Sequence, residues 1–137
     1  MKTDIQIPHA QLKDLTRLHD FVESACQQVG ADENVSYAAR LAVEEVCTNI
    51  IKHGYRATSP GPIALSFQAD DGQIVITIVD RARPFSPESV PPPDLNADWD
   101  ARPIGGLGWH LVKHMMDQVL HEPNPGGGNI VTLIKKL

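Results

Sequence analysis

IALSFQADDGQIVITIVD, residues 63–80, alternates apolar and polar residues on either side of an Asp-Asp-Gly turn. Period-two alternation marks a strand with one buried face. Two such runs joined by residues that tolerate positive φ predict an antiparallel hairpin. The second run ends on an acid, Asp80, followed by Arg81, Arg83 and a Pro-Phe pair. Charges after a strand are ordinarily a solvated turn. The alternative is an acid held at the strand end to read a ligand.

The sequence upstream turns from strand to helix. DIQIP reads as a short first strand stopped by Pro8. From Ala10 to about Val29, Leu12, Leu15, Leu18, Phe21, Val22, Ala25, Cys26 and Val29 recur at helical spacing, and Gly30 is a C-terminal stop. Asp32 or Asn34 can cap the next helix, which runs to about Lys52 and ends near Gly54, with Val43, Val46, Cys47 and Ile50 on its apolar face.

Downstream, residues 86–104 hold five prolines and four acids without periodicity. A long unpatterned stretch inside a domain reads as a functional lid or a linker. GGLGWHLVKHMMDQV then places Leu107, Leu111, Met115 and Val119 at helical spacing, over 107–119, and VLHEPNPGGGNIVTLIKKL closes as a second hairpin around a glycine-rich turn. Strand, two helices, hairpin, loop, helix, hairpin is the order of an α+β two-layer sandwich, with a mixed, mostly antiparallel sheet and helices on one face.

Composition narrows the classes. A chain of 137 residues forms one domain, here 1–137. Its net charge of −5 and lack of any dense basic run disfavour nucleic acid and acidic membranes as partners. No apolar run approaches the ~18 residues that span a bilayer. The first residues carry no signal-peptide core, so a cytoplasmic protein is expected. Cys26 and Cys47 form no CxxC pair and read as buried free thiols.

Three motifs carry candidate chemistry. In AVEEVCTNIIKHGY, 42–55, Glu45, Asn49 and His53 follow i, i+4, i+8 along one helix ridge. Such a ridge is ordinarily the solvated side of an amphipathic helix. Asparagine, however, is a poor helix-interior residue unless its side chain has a task. Its amide oxygen could be a neutral hard ligand for Mg2+ beside phosphate oxygens, and Glu45, one turn earlier, could orient or deprotonate an attacking hydroxyl. The second is Asp80. An ionised carboxylate only accepts hydrogen bonds, so it would select adenine, with its amino donor, over guanine. The third is GGLGWH, 105–110, where glycines and a helix N-terminus suit phosphate oxygens, though plain turn chemistry gives the same pattern. No Gly-Lys-Ser/Thr follows, so it is not a P-loop.

Together these motifs resemble the ATP-binding domain of the GHKL superfamily (gyrase, heat-shock chaperone, sensor histidine kinase and mismatch-repair ATPases), with the Bergerat fold. The likeness covers nearly the whole chain and is greatest to the bacterial anti-sigma-factor serine/threonine kinases of the RsbW type. EEVCTNIIKHGY resembles the family's N box, which implies Glu45 as catalytic base and Asn49 as magnesium ligand. VDRARPF resembles the first glycine box, which implies Asp80 at the adenine amino group. GGLGWHLVKHMMD resembles the second, with Gly106 and Gly108 at the phosphates and Gly105, Leu107 and Trp109 in the same nucleotide site. GGGNIVTLIKKL is similar to the last hairpin, and residues 86–104 would be the lid over ATP.

The chain departs from the pattern at Ala82, where the family usually has glycine. The extra methyl either crowds the base or is tolerated. Arg81 and Arg83 could neutralise phosphates, but solvated turn charges are the preferred reading. His110, His114 and Asp117 are placed on one helix face and read as a surface ridge rather than a zinc site. Core packing is preferred for Trp109 over a nucleotide-covering role. The resemblance implies ATP and Mg2+, a STAS-type anti-sigma-factor antagonist as substrate, a sigma factor or similar regulator as sequestered partner, and a possible homodimer. The alternatives are an ATP/ADP-binding partner-switching module without kinase activity, and a scaffold that binds no nucleotide.

Overall fold

The computed structural model describes residues 1–55, 59–83 and 106–137. The expected lid, Gly105, Pro84 and Phe85 lie outside them. Five strands are ordered β1-β2-β3-β5-β4, namely β1 (Lys2–Ile7), β2 (Ile63–Asp70), β3 (Gln73–Asp80), β4 (Gln118–Pro123) and β5 (Asn129–Lys136). All four pairings are antiparallel, so among the described residues the sheet holds no parallel pair and is simpler than the mixed sheet expected.

The alternation in the sequence becomes a two-sided sheet. Ile63, Leu65 and Phe67 of β2, Ile74, Ile76 and Ile78 of β3, and Val131 and Leu133 of β5 are all buried on one face. The helices α1 (Leu15–Gln28), α2 (Glu33–Asn49) and α3 (Gly106–Met115) supply most of the rest of that core, with Ile7, Ala10, Ile50, Ile51, Ala82 and Met116 from the segments around them. Helix α2 packs against both α1 and α3. Its inward side is built of Ala38, Ala39, Ala42, Val43, Val46 and Cys47, small residues that let neighbours approach closely. The β2–β3 turn has Asp71 and Gly72 at φ 52° and 77°, the two positive values a type I′ hairpin needs.

Local signals set the ends of the first two helices. Gly30, at φ 73°, ends α1. Its N–H reaches Gln27 O, and the Ala31 N–H reaches Cys26 O, the paired bonds of a Schellman motif. Asp32 Oδ1 accepts the Val35 N–H at 2.9 Å and starts α2. Ahead of α1, residues Leu12–Asp14 form a single 3₁₀ turn rather than α-helix.

Two helix ends also depart from expectation. Helix α2 does not run straight to Gly54: from Ile50 to Gly54 the backbone widens into a π-turn, closed by the Tyr55 N–H on Ile50 O at 2.8 Å. Helix α3 ends at Met115, so Val119 belongs to β4 and Asp117 is not on the helix face of His110 and His114. Asp117 instead ties the helix exit to β5. Its N–H donates to Ile134 O, and its Oδ2 accepts the Lys136 N–H at 2.7 Å. The supposed three-residue ridge does not form.

Candidate functional site

The sequence motifs converge on the C-terminal half of α2. Asp80 ends β3 and is 1% exposed, a rare depth for a carboxylate. Its Oδ1 accepts the Ala82 N–H at 2.8 Å and the Asn129 Nδ2–H at 3.1 Å. Its Oδ2 is buried with no hydrogen-bond partner among the described residues. Burial pushes the Asp80 carboxyl above its ordinary range, against the lowering effects of the Asn129 side chain, the Ala82 and Asn129 N–H groups and His121. An ionisable oxygen left unpaired at such depth costs stability unless a donor arrives. An adenine amino group is such a donor, so the arrangement fits the nucleotide that the motifs imply.

The backbone around Asp80 is clamped from three sides. Tyr55 Oη accepts the Arg81 N–H at 2.7 Å and donates to Pro62 O at 2.6 Å. Asn124 Nδ2 donates to Asp80 O at 3.3 Å. The β4–β5 turn presses directly on the strand end: a Cβ on Gly128 would overlap Asp80 O and Arg81 Cα. Gly128 also sits at φ 105°, so conformation and space both require glycine. Arg81 lies along this turn, with its Nη1 3.5 Å from Gly127 O. That fits a local structural role for Arg81.

Ala82 is accommodated by a neighbour. A Cβ added to Gly54 would stand 2.7 Å from the Ala82 Cβ, so the Ala82 methyl occupies the space that Gly54 leaves. Ala82 is 5% exposed and joins the core. The π-turn places Gly54 at this contact, and π-turns recur where helices serve function. It also interrupts the ridge on which His53 had been aligned with Glu45 and Asn49. Burial, then the charge of Lys52, pushes the His53 imidazole below its usual range.

Glu45 meets α3. A Cβ on Gly108 would stand 2.5 Å from Glu45 Oε2, so glycine there makes room for the carboxylate. Burial, then repulsion from Glu44, pushes the Glu45 carboxyl up, toward the range in which a base works near neutral pH. Gly106 opens α3 and Leu107 follows it. Trp109 is 2% exposed within the core, the position that packing predicts. Asn49 is the last residue of α2, half-buried, one turn beyond Glu45.

Sequence reasoning missed Asn129, Asn124 and His121. One signal was available for Asn129: asparagine is depleted in strands, yet this one begins β5 and is 5% exposed. A polar side chain buried there needs a partner, and Asp80 is that partner. Cys47, also fully buried, feels the same carboxylate. Burial and then the Asp80 charge push its thiol up to about 12.

Comparison with known proteins bears on the family and the fold. Residues 9–135 match the family model described as a histidine kinase-like ATPase domain. The chain is 32% identical over 102 residues to an anti-sigma F factor of Pasteuria penetrans, covering 72% of this chain and 66% of that protein. It is 34% identical over 97 residues to the serine-protein kinase RsbW of Staphylococcus epidermidis, covering 67% and 61%. The chain thus spans about three fifths to two thirds of the length of these curated relatives. Its fold matches about a third of a solved structure of the RsbU and RsbW domains of a Mycobacterium tuberculosis protein, with a TM-score of 0.68 and 19% identity over 98% of this chain and 32% of that one. By the family model that spans residues 9–135, the chain belongs to the histidine kinase-like ATPase domain family.

Proposed function

We propose that the chain is an ATP-dependent protein serine/threonine kinase and anti-sigma factor. In this reading it phosphorylates a STAS-type anti-sigma-factor antagonist and sequesters a sigma factor or similar regulator. The observation that carries it is Asp80 Oδ2, a buried acceptor at the end of β3 that meets no donor among the described residues. Its support is the convergence of Asp80, Ala82, Glu45 and Gly108 on α2 and its π-turn.

Each residue then has a task set by its surroundings. Asp80 accepts the adenine amino group, and a guanine carbonyl in that place would meet a second acceptor. The N-terminus of α3, from Gly106, offers first-turn N–H groups that the helix cannot pair within itself, and its positive dipole end, to phosphate oxygens. Glu45 removes the proton of a docked serine hydroxyl, aided by a carboxyl whose affinity for protons burial has raised. Asn49 would hold Mg2+ through its amide oxygen, and the ion when bound would neutralise triphosphate charge. Phosphoryl transfer asks little more of a protein than such placement and electrostatics.

The test is transfer of labelled phosphate from ATP to the cognate STAS protein. A general base contributes about a hundredfold or more, so Glu45→Gln should lose at least that in transfer rate with ATP affinity retained. Equal transfer by both proteins would refute the role of Glu45. Tight ATP binding without transfer by wild type would leave a nucleotide-gated partner switch.

A further inference from the structure

β4, an edge strand outside the family motifs, reaches Asp80 through a chain of hydrogen bonds. Its alternation turns Leu120 and Glu122 outward and His121 toward the helix side, paired across the ladder with the buried Val131. His121 Nε2 lies 2.8 Å from Asn129 Oδ1. Asn129 Nδ2 in turn lies 3.1 Å from Asp80 Oδ1 and 3.2 Å from Arg83 O.

Chemistry gives this chain one direction. A carboxylate and a carbonyl oxygen only accept, so the amide nitrogen of Asn129 must face both Asp80 and Arg83. The amide oxygen must therefore face His121, and the imidazole Nε2 must carry the proton and donate. With Asn129 held in this orientation, Asp80 Oδ1 receives two side-chain and backbone donors, from Asn129 and Ala82. The two oxygens of Asp80 are thereby made unequal. Oδ1 is saturated, and Oδ2 is the one left for a ligand donor.

We propose that His121 is a positioning residue for base recognition: through Asn129 it fixes which oxygen of Asp80 is offered to an exocyclic amino group. The inference rests on the reading of Asp80 as the nucleobase acceptor. With a leucine at 121, the Asn129 amide keeps its two acceptors, Asp80 Oδ1 and Arg83 O, but its oxygen loses the His121 donor. The side chain is then held less firmly, and so is the carboxylate oxygen it fixes. Glutamine at 121 keeps an amide donor near the place of Nε2.

Calorimetric titration with ATP and with inosine triphosphate, which has a carbonyl in place of the amino group, separates the outcomes. The proteins are wild type, His121→Leu, His121→Gln and Asp80→Asn, each checked for its melting temperature. His121→Leu should weaken ATP about fivefold, the worth of one neutral hydrogen bond, while leaving inosine triphosphate unchanged, so that the preference between them narrows. His121→Gln should recover ATP affinity to within about twofold of wild type. An unchanged preference in His121→Leu overturns the inference, and so does an equal loss for both nucleotides with a lowered melting temperature. If Asp80→Asn abolishes ATP binding while His121→Leu does nothing, only the role of His121 fails. A wild type without ATP affinity overturns both.

Discussion

Gly54→Ala probes how the chain tolerates alanine at position 82. The new methyl would stand 2.7 Å from the Ala82 Cβ, where carbon atoms prefer about 3.5–4.0 Å. Both methyls are attached to the backbone and have no rotamer through which to escape. Overpacking of this kind costs about 1–3 kcal/mol. Alanine recovers up to about 1 kcal/mol over glycine in a helical turn. Gly54 is not among the positive-φ glycines, so no backbone strain is added. With the overlap taken at its middle value of about 2 kcal/mol and the recovery at up to about 1 kcal/mol, the net loss is about 1–2 kcal/mol. With an unfolding entropy of about 2.1 cal/mol/K per residue, that lowers the melting temperature of this 137-residue chain by roughly 3–7 °C. Adding Ala82→Gly removes the opposing methyl. Urea denaturation of wild type, both single variants and the double variant should give a favourable coupling of about 1–3 kcal/mol. Additivity to within about 0.5 kcal/mol would refute the contact.

Other consequences follow from neighbouring groups. Gly127 and Gly128 both have φ above 100°, but only Gly128 abuts the Asp80–Arg81 backbone. Gly127→Ala should cost about 1–2 kcal/mol in urea denaturation and Gly128→Ala about 3 kcal/mol or more. The raised Asp80 pKa means that the folded state holds its proton more tightly than the unfolded chain does. Its burial penalty is therefore full above the folded-state pKa and is gone below the ordinary 3.8. Asp80→Asn should match or exceed wild-type stability at pH 7, an advantage that shrinks as the pH falls through that window. Cys47, with its thiol pushed up to about 12, and Cys26, also raised, should resist an aromatic disulfide reagent at pH 8 until the chain unfolds. Both should then react in urea.

The fold was legible wherever it depends on local pattern. Alternation over 63–80 specifies the β2–β3 hairpin, and Gly30 and Asp32 mark the break between α1 and α2. The end of α3 was not legible because Val119 lies four residues beyond Met115. That spacing continues a helix as well as it begins the short edge strand β4. The π-turn was hidden for another reason: its width is bound up with Gly54 meeting Ala82, 28 positions away in sequence. At the site, Glu45 and Asp80 could be singled out by residue type and motif. Their tertiary partners could not. Gly108 beside Glu45, Gly128 beneath Asp80, and the path from His121 through Asn129 are contacts across the fold, and no local periodicity encodes them.

The claim on which the others depend is that Asp80 Oδ2 awaits a nucleobase donor. Calorimetric titration of wild type and Asp80→Asn with ATP in the presence of Mg2+ tests it most directly. Wild type should bind saturably. Asp80→Asn replaces the charged acceptor and should bind about 10- to 100-fold more weakly, the worth of one hydrogen bond to a charged group, while remaining folded. Equal affinity in the two proteins, or none in wild type, would contradict the account.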